Sequence, residues 1–569
     1  MENKICRQCN ANFEIADEDL VFYEKISPEI GGKKYLIPAP TLCPDCRFRR
    51  RLSMRNERRL YQRKSDKSGE MLVTIYDQNA PYQVYSQKEW WGDDWDARDY
   101  GREFDFGRPF FDQFRELQEK VPRIALINVN PENSDYLNCA ADNKDCYMSF
   151  DIGKNQKVFY SRTIYDSVNV VDSIYCKDHN ENIYQCAGCI NLSNSRFCLD
   201  CANGSNCYYS YDLKGSRDCL FCSNLRNKQY CIKNEQLSRE EYEQRFGEYE
   251  FGSFEKSKEY YQTFLRVFKN AIRPHADLLK CENCTGDYLF NCKNSHVCFD
   301  ASRLEDCKFM YGSPGGKNCY DDCFSGYETA ELNYETIGCE TPYHSLFSIS
   351  CWTGNRDIMY CDFCHSCKNC LGCTGLRKAE YCILNKQYTK EEYEKLVPKI
   401  IEHMRNTGEW GEFFPTSISP FAYNETVAND YFPLNEEEAV KIGGRWKEML
   451  DTLVKSSDYA VPDNIKDVKE DIINQVLECE VTKRPYKIQP QELVFYIKNN
   501  IPIPRRHPDQ RYIDRWQLIN PWRLYHRQCD CQGSCGTHMG RCGQEFETTY
   551  APDRPERVYC ENCYQKSVI

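Results

Sequence analysis

Residues 135 to 235 and 281 to 386 alternate short apolar bits with polar residues. Asp145-Cys146-Tyr147, Asn206-Cys207-Tyr208-Tyr209, Asp218-Cys219-Leu220-Phe221 and Gln229-Tyr230-Cys231-Ile232 recur about every 9 to 13 residues. Asn, Asp, Gly and Ser between them favour tight backbone reversals. This rhythm predicts a solenoid of short strands, each rung stacked on the next. The two stretches match at an offset of 151, which carries Cys219, Cys222 and Cys231 onto Cys370, Cys373 and Cys382. Each is followed by a capping-box pattern, Ser238-x2-Glu241 and Thr389-x2-Glu392, which predicts a helix after each block.

Outside the blocks the pattern changes. Asn435-x2-Glu438 predicts a short helix ending at Gly443-Gly444, and residues 446–455 and 463–478 are expected to be helical. Between Trp90 and Phe114 aromatics interleave with acids, which predicts a small packed core or a domain junction rather than a base-stacking surface. No run approaches 18 consecutive apolar residues, so no membrane span is expected. The opening residues lack the apolar region of a secretory signal, so a cytoplasmic location is expected.

A chain of 569 residues is too long for one core. It holds 37 cysteines, 26 of them in the two blocks. Without export these read as thiols or metal ligands rather than disulfides. A small thiol fills a narrow interior where leucine would overpack. Cys361, Cys364, Cys367, Cys370 and Cys373 stand at every third residue, as in part of a bacterial ferredoxin pattern, and form the alternative metal candidate of the middle. The closing Cys-x3-Cys-Pro of that pattern is absent.

The ends carry a sharper signal. Cys6-x2-Cys9 and Cys43-x2-Cys46 are the two separated pairs from which a four-thiolate zinc site is ordinarily built. Pro44 suits the first turn of a helix opened by the second pair. A hairpin bearing one pair and a helix start bearing the other make a treble-clef finger. Adding 473 carries Cys6, Cys9 and Leu20-Val21-Phe22-Tyr23 onto Cys479, Thr482 and Leu493-Val494-Phe495-Tyr496. Adding 464 carries Cys43-Pro44-Asp45-Cys46-Arg47 onto His507-Pro508-Asp509-Gln510-Arg511. This copy keeps two of four ligand positions, so it is expected to bind no zinc. A second finger follows each: Ser65, Ser68, Ser86 and Glu89 align with Cys529, Cys542, Cys560 and Cys563, the expected second zinc site. Cys531 is the rival for one of its positions. Cys531, Cys535 and His538, in a ten-residue insertion, are further metal candidates.

The first finger, through Cys6-Arg7-Gln8-Cys9, Val21-Phe22-Tyr23-Glu24 and Leu42-Cys43-Pro44-Asp45-Cys46-Arg47, resembles the "probable zinc-ribbon" proteins of bacteria. The whole chain is similar to larger Cys-rich proteins of candidate-phylum bacteria. The resemblance implies a treble-clef-like domain with zinc at Cys6, Cys9, Cys43 and Cys46, and implies no activity.

The net charge of −12 argues against a protein that coats nucleic acid along its length. Residues 47 to 64 nevertheless hold nine basic side chains and one acid. Arg47, Arg49, Arg50, Arg51, Arg55, Arg58 and Arg59 can either contact RNA phosphates or pair with the chain's own acids, such as Asp93, Asp94, Asp96 and Asp99. No nucleotide-binding loop, His-Glu-x2-His or nucleophile elbow is present. Cys364-His365 places a base beside a thiol, but sequence neighbours seldom face one another. No catalytic residue is assigned.

The expected architecture is a β-rich, α+β multidomain chain: a two-block Cys-rich solenoid flanked by paired treble-clef fingers and joined by helices. Its segments are 1–64, 65–134, 135–235, 236–280, 281–386, 387–475, 476–528 and 529–569. The related ends are expected to pack together, within one chain or across a homodimer. The expected function is a non-enzymatic scaffold with two zincs and an RNA or protein partner. An iron–sulfur or redox protein, or a zinc buffer, is the alternative.

Overall fold

Between Asn138 and Ile232 the strands pair in parallel, most partners standing at a constant offset: Asn138↔Phe150, Phe150↔Arg162, Arg162↔Ile174, Ser205↔Arg217, Arg217↔Gln229. The second block does the same: Lys308↔Tyr320, Tyr334↔Leu346, Arg356↔Lys368, Lys368↔Glu380. These pairings come from a computed structural model, which describes residues 2–326, 330–448 and 456–568. The fold is β-rich, with several separate sheets and helices between and around them.

Along each block the governing period of burial is three. Cys198, Cys201, Cys207, Leu213, Cys219, Cys222, Leu225 and Cys231 are buried together, with Ser195, Ser210 and Ser216 filling other steps of the same series. The residue before each interior position has a left-handed backbone: Asp145 (φ 54°), Asn206 (φ 52°) and Asp218 (φ 52°) precede Cys146, Cys207 and Cys219. Asn and Asp tolerate that conformation best among residues with a Cβ. The repeated Asx-Cys pairs thus mark a bend followed by an inward side chain, not a turn separating strands.

The interior polar atoms are satisfied by a ladder. Cys207 Sγ lies 3.5 Å from the Ser205 carbonyl and 3.5 Å from that of Ser216. Ser149 Oγ donates to the carbonyl of Tyr147 (3.0 Å), and Ser161 N donates to Ser149 Oγ (3.2 Å). Thiol and hydroxyl therefore serve one role, bonding the carbonyl two positions before and bridging to the neighbouring strand. A hydroxyl left unpaired in that interior would cost about 1–3 kcal/mol.

Both blocks close alike. The strands Gln229–Ile232 and Glu380–Ile383 fold back on short antiparallel strands. The helices Arg239–Gly247 and Lys390–Asn406 follow, capped by Ser238 with Glu241 and by Thr389 with Glu392. Asn435 with Glu438 caps Glu436–Lys441, after which Gly443 turns at φ +83°. Of the helix expected over 446–455, residues 449–455 lie outside the described residues. The helix expected over 463–478 is instead two short 3-10 turns, Ile465–Asp467 and Glu470–Asn474, and the strand Leu477–Glu478. Its start is held extended against the helix Phe254–Asn270: Phe254 N donates to the Asp463 carbonyl (2.9 Å), and Ser253 Oγ to its carboxylate (2.6 Å).

The two ends have matching elements. The helix Asp17–Lys25 corresponds to Pro490–Lys498 at the offset of 473, and Pro44–Leu52 to Pro508–Trp516 at the offset of 464. The strands Tyr61–Lys64 and Met71–Thr74 correspond to Tyr525–Gln528 and Glu545–Thr548 at offsets of 464 and 474. The helices Asp17–Lys25 and Pro44–Leu52 dock on the second block, and Pro490–Lys498 and Pro508–Trp516 on the first. Phe22 stacks on Tyr320 at 3.7 Å and Phe48 on Tyr311 at 3.7 Å, while Tyr496 meets Tyr184 edge-on at 5.9 Å.

Candidate metal centres

The hairpin of Glu2–Ile5 and Asn12–Ile15 ends in a tight knuckle. Cys6 N donates to the Ala11 carbonyl (2.9 Å), Asn10 N donates to the Cys6 carbonyl (3.0 Å), and Asn10 turns at φ +62°. Two cysteines on such a knuckle project to one side. Cys43 is the N-cap of Pro44–Leu52, where Pro44 at the first position loses no bond, and Cys46 sits one turn in. The sulfurs of Cys6, Cys9, Cys43 and Cys46 lie within 4.8 Å of one another. Four thiolates bonded at 2.3 Å to a tetrahedral ion stand about 3.8 Å apart. Cys9 Sγ and Cys43 Sγ are 3.6 Å apart, and a hydrogen bond with the Cys46 thiol draws the Cys43 thiol down to about 5. Arg49 Nη2 lies 3.7 Å from Cys46 Sγ and offsets negative charge on the tetrad.

At the other end, Cys529, Cys542, Cys560 and Cys563 form a second tetrad within the same 4.8 Å limit. Cys560 N-caps the helix Glu561–Ser567, and its own N–H donates to Cys529 Sγ (3.2 Å). Cys531, Cys535 and His538 join Cys563 in a third group. Cys531 belongs to that group and does not displace a member of the tetrad.

The other two modules keep the knuckle and replace the donors. Ser65 N donates to the Glu70 carbonyl (2.8 Å), and Gly69, at φ +77°, donates back to the Ser65 carbonyl (2.9 Å). Ser65 Oγ and Ser86 N each donate to Glu89 Oε2 at 2.7 Å. Burial raises the Glu89 carboxyl, but hydrogen bonds from Ser68, Ser65 and Ser86 outweigh it and hold it down at about 2. In the module after residue 476, Thr482 N donates to Cys479 Sγ (3.5 Å) and Asp509 N to His507 Nδ1 (3.0 Å). Backbone donors there occupy the two retained ligand atoms.

The basic helix faces inward. Arg47 and Arg51 are 1% and 0% exposed. Arg47 Nη2 is 2.9 Å and Arg51 Nη1 3.1 Å from the buried Asp321 carboxylate. Glu335 takes Arg50 (3.0 Å) and Arg51 (2.8 Å), and Glu412 takes Arg50 (2.8 Å). Arg55 pairs with Glu57 at 2.6 Å. Asp321 and Glu335 are long-range partners on the second block, and Glu412 lies beyond it. None belongs to residues 93 to 105, and together they leave Arg47, Arg50 and Arg51 no free guanidinium for a phosphate. The counterparts at the offset of 464 repeat the arrangement: Arg511 and Arg515 both pair with the buried Asp172 of the first block.

The ends also touch each other reciprocally within the one chain. Arg59 pairs with Asp509 (3.2 Å) and Arg523 with Asp45 (3.5 Å), and each residue of one pair is the 464-offset counterpart in the other. Arg58 adds a contact to Asp509 at 3.1 Å. Sequence reasoning missed Asp172, Asp321 and Glu335 as the docking acids, because nothing near them in the chain marks them.

The middle run lines the interior of the second block. Cys361, Cys364, Cys367 and Cys370 are consecutive inward positions and form no group of three or more mutually close donors among the described residues. Cys364 Sγ lies 3.6 Å from the Asp362 carbonyl and 3.5 Å from that of Cys373. His365 points the other way, among Trp90, Trp91 and Trp352, so it cannot act on the Cys364 thiol. The aromatics around it belong partly to the segment 90–114, which packs as a junction against the second block: Trp90, Phe110 and Phe114 are buried, and Phe110 meets Tyr360 at 5.2 Å. No family model matches the chain, and no curated protein matches it. Among the described residues, no helix is long and apolar enough to cross a membrane.

Proposed function

We propose that this chain is a non-enzymatic zinc-binding scaffold. Two Cys-rich solenoid blocks form its body, and treble-clef modules at the two ends brace them. The observation that carries this reading is the completeness of the tetrads. Cys6, Cys9, Cys43 and Cys46, and likewise Cys529, Cys542, Cys560 and Cys563, offer four protein donors each. A zinc held by four side chains has no open position for water or substrate, so it stabilises structure and does not catalyse. All 37 cysteines are free, which suits a reducing compartment such as the cytoplasm.

The partner is proposed to be a protein rather than RNA, because the arginines that would meet phosphates are taken up by Asp321, Glu335 and Glu412. A gel shift with single-stranded RNA over a salt series tests this: a shift that weakens as salt rises overturns the protein reading. Elemental analysis of the full chain tests the metal. Zinc is expected, and Cys43→Ser is expected to lose one zinc and unfold the N-terminal module, since structural zinc contributes folding energy directly. Unchanged zinc content and melting in that variant would refute the site.

A further inference from the structure

The C-terminal module presents seven soft donors where a single ion needs four, and one of them belongs to two groups. Cys563 closes the tetrad with Cys529, Cys542 and Cys560, and it also closes the group with Cys531, Cys535 and His538. We infer that this module holds two metal ions in one binuclear centre, with the Cys563 thiolate bridging them. The inference rests on the zinc reading of the tetrads and deepens it.

Donor number is the first argument. Two tetrahedra sharing one corner require seven donors, and the stretch from Cys529 to Cys563 contains six cysteines and one histidine. None is left over. With one ion at the tetrad alone, Cys531 would be a fully buried thiol (0% exposed) beside Cys535 (9% exposed), without the carbonyl ladder that occupies the thiols of the middle blocks.

Geometry is the second. Cys535 Sγ is 3.6 Å and His538 Nε2 3.2 Å from Cys563 Sγ, so both converge on the shared sulfur. His538 Nδ1 lies 3.1 Å from the Gly540 carbonyl. Donation there fixes the tautomer and leaves the Nε2 lone pair facing the site, as the outer partner of a metal-bound histidine does.

Third, the extra donors come from one enlarged loop. Three knuckles close over the same short span: Cys6 N to Ala11 O, Ser65 N to Glu70 O and Cys479 N to Arg484 O. The fourth closes from Cys529 N to Gln544 O, and the extra loop carries Cys531, Cys535 and His538. That loop reverses at Gly533 (φ +93°) and Gly540 (φ +71°), a backbone that L side chains resist. Charge also balances. The second divalent ion arrives with two further thiolates and a neutral imidazole, the thiol protons pass to solvent, and the net charge of the centre equals that of the tetrad alone.

The test uses the full chain purified with its metal. Three zincs per chain are expected. Cys535→Ser and His538→Ala should each lower this to two, while the tetrads of Cys6 and Cys529 keep theirs. Because a variant can unfold the module, the unmodified chain exchanged with cadmium-113 is the independent measurement: the Cys563 β-protons should couple to two cadmium resonances. Two metals per chain, unchanged in both variants, or coupling of Cys563 to one cadmium only, would overturn the bridge and leave the zinc reading intact. A chain without metal would overturn both.

Discussion

Replacing Asp321 by alanine probes what locks an end module onto the body. Its carboxylate is 0% exposed and lies 2.9 Å from Arg47 and 3.1 Å from Arg51. In Asp321→Ala, Arg51 keeps Glu335 at 2.8 Å, whereas Arg47 is left with Glu335 at 3.9 Å and the Leu42 carbonyl at 2.8 Å. Removing one partner of a buried pair costs about 3–5 kcal/mol, because the remaining charge is desolvated without compensation. The surviving Glu335 contacts place this case at the lower end, about 3 kcal/mol. A chain of several bodies does not unfold in two states, so the measurement must be local. Native-state hydrogen exchange across Pro44–Leu52 supplies it. At about 1.4 kcal/mol per tenfold, protection there should fall about a hundredfold. Asp172→Ala should do the same to Pro508–Trp516 and leave Pro44–Leu52 unchanged. If neither variant lowers protection in its own helix by more than about threefold, the ion pairs do not hold the modules and the argument fails.

Glu89→Gln should melt below the wild type at neutral pH. The folded carboxyl sits at about 2 against an ordinary 4.5, so its stabilisation is present above pH 4.5 and is lost as pH falls towards 2. A melting gap that stays constant over that interval would contradict this. Ser65→Cys, Ser68→Cys, Ser86→Cys and Glu89→Cys combined should add one metal per chain, because the knuckle and the helix start are already in place. An unchanged metal count would show that the second N-terminal module has lost the geometry as well as the donors. In the first block, Cys201→Ser should cost less than Cys201→Leu, since serine already occupies Ser210 and Ser216 whereas overpacking costs about 1–3 kcal/mol. A leucine variant that melts above the serine variant would show a roomier interior.

The amino-acid sequence alone determined the local elements and the donor sets. Capping residues act within one helical turn, so Ser238, Thr389 and Asn435 marked real helix starts. Both tetrads were legible because three of the four ligand pairs are placed by a short, self-contained device, a knuckle or a helix N-terminus, and the internal duplication located the fourth. The exact register of strand pairing was harder to see. The visible rhythm came from Asx-Cys pairs, whose cause is a left-handed residue ahead of every inward side chain. Only the tertiary structure decided what the long-range groups do. Of the two roles open to Arg47 and Arg51, it shows the internal one, as buried ties to Asp321, a partner in a distant part of the chain. It gave the metal candidates Cys531, Cys535 and His538 their fourth donor, Cys563. Charge and coordination depend on distance in space, and spacing along the chain reports that distance only where the backbone between two residues is itself fixed.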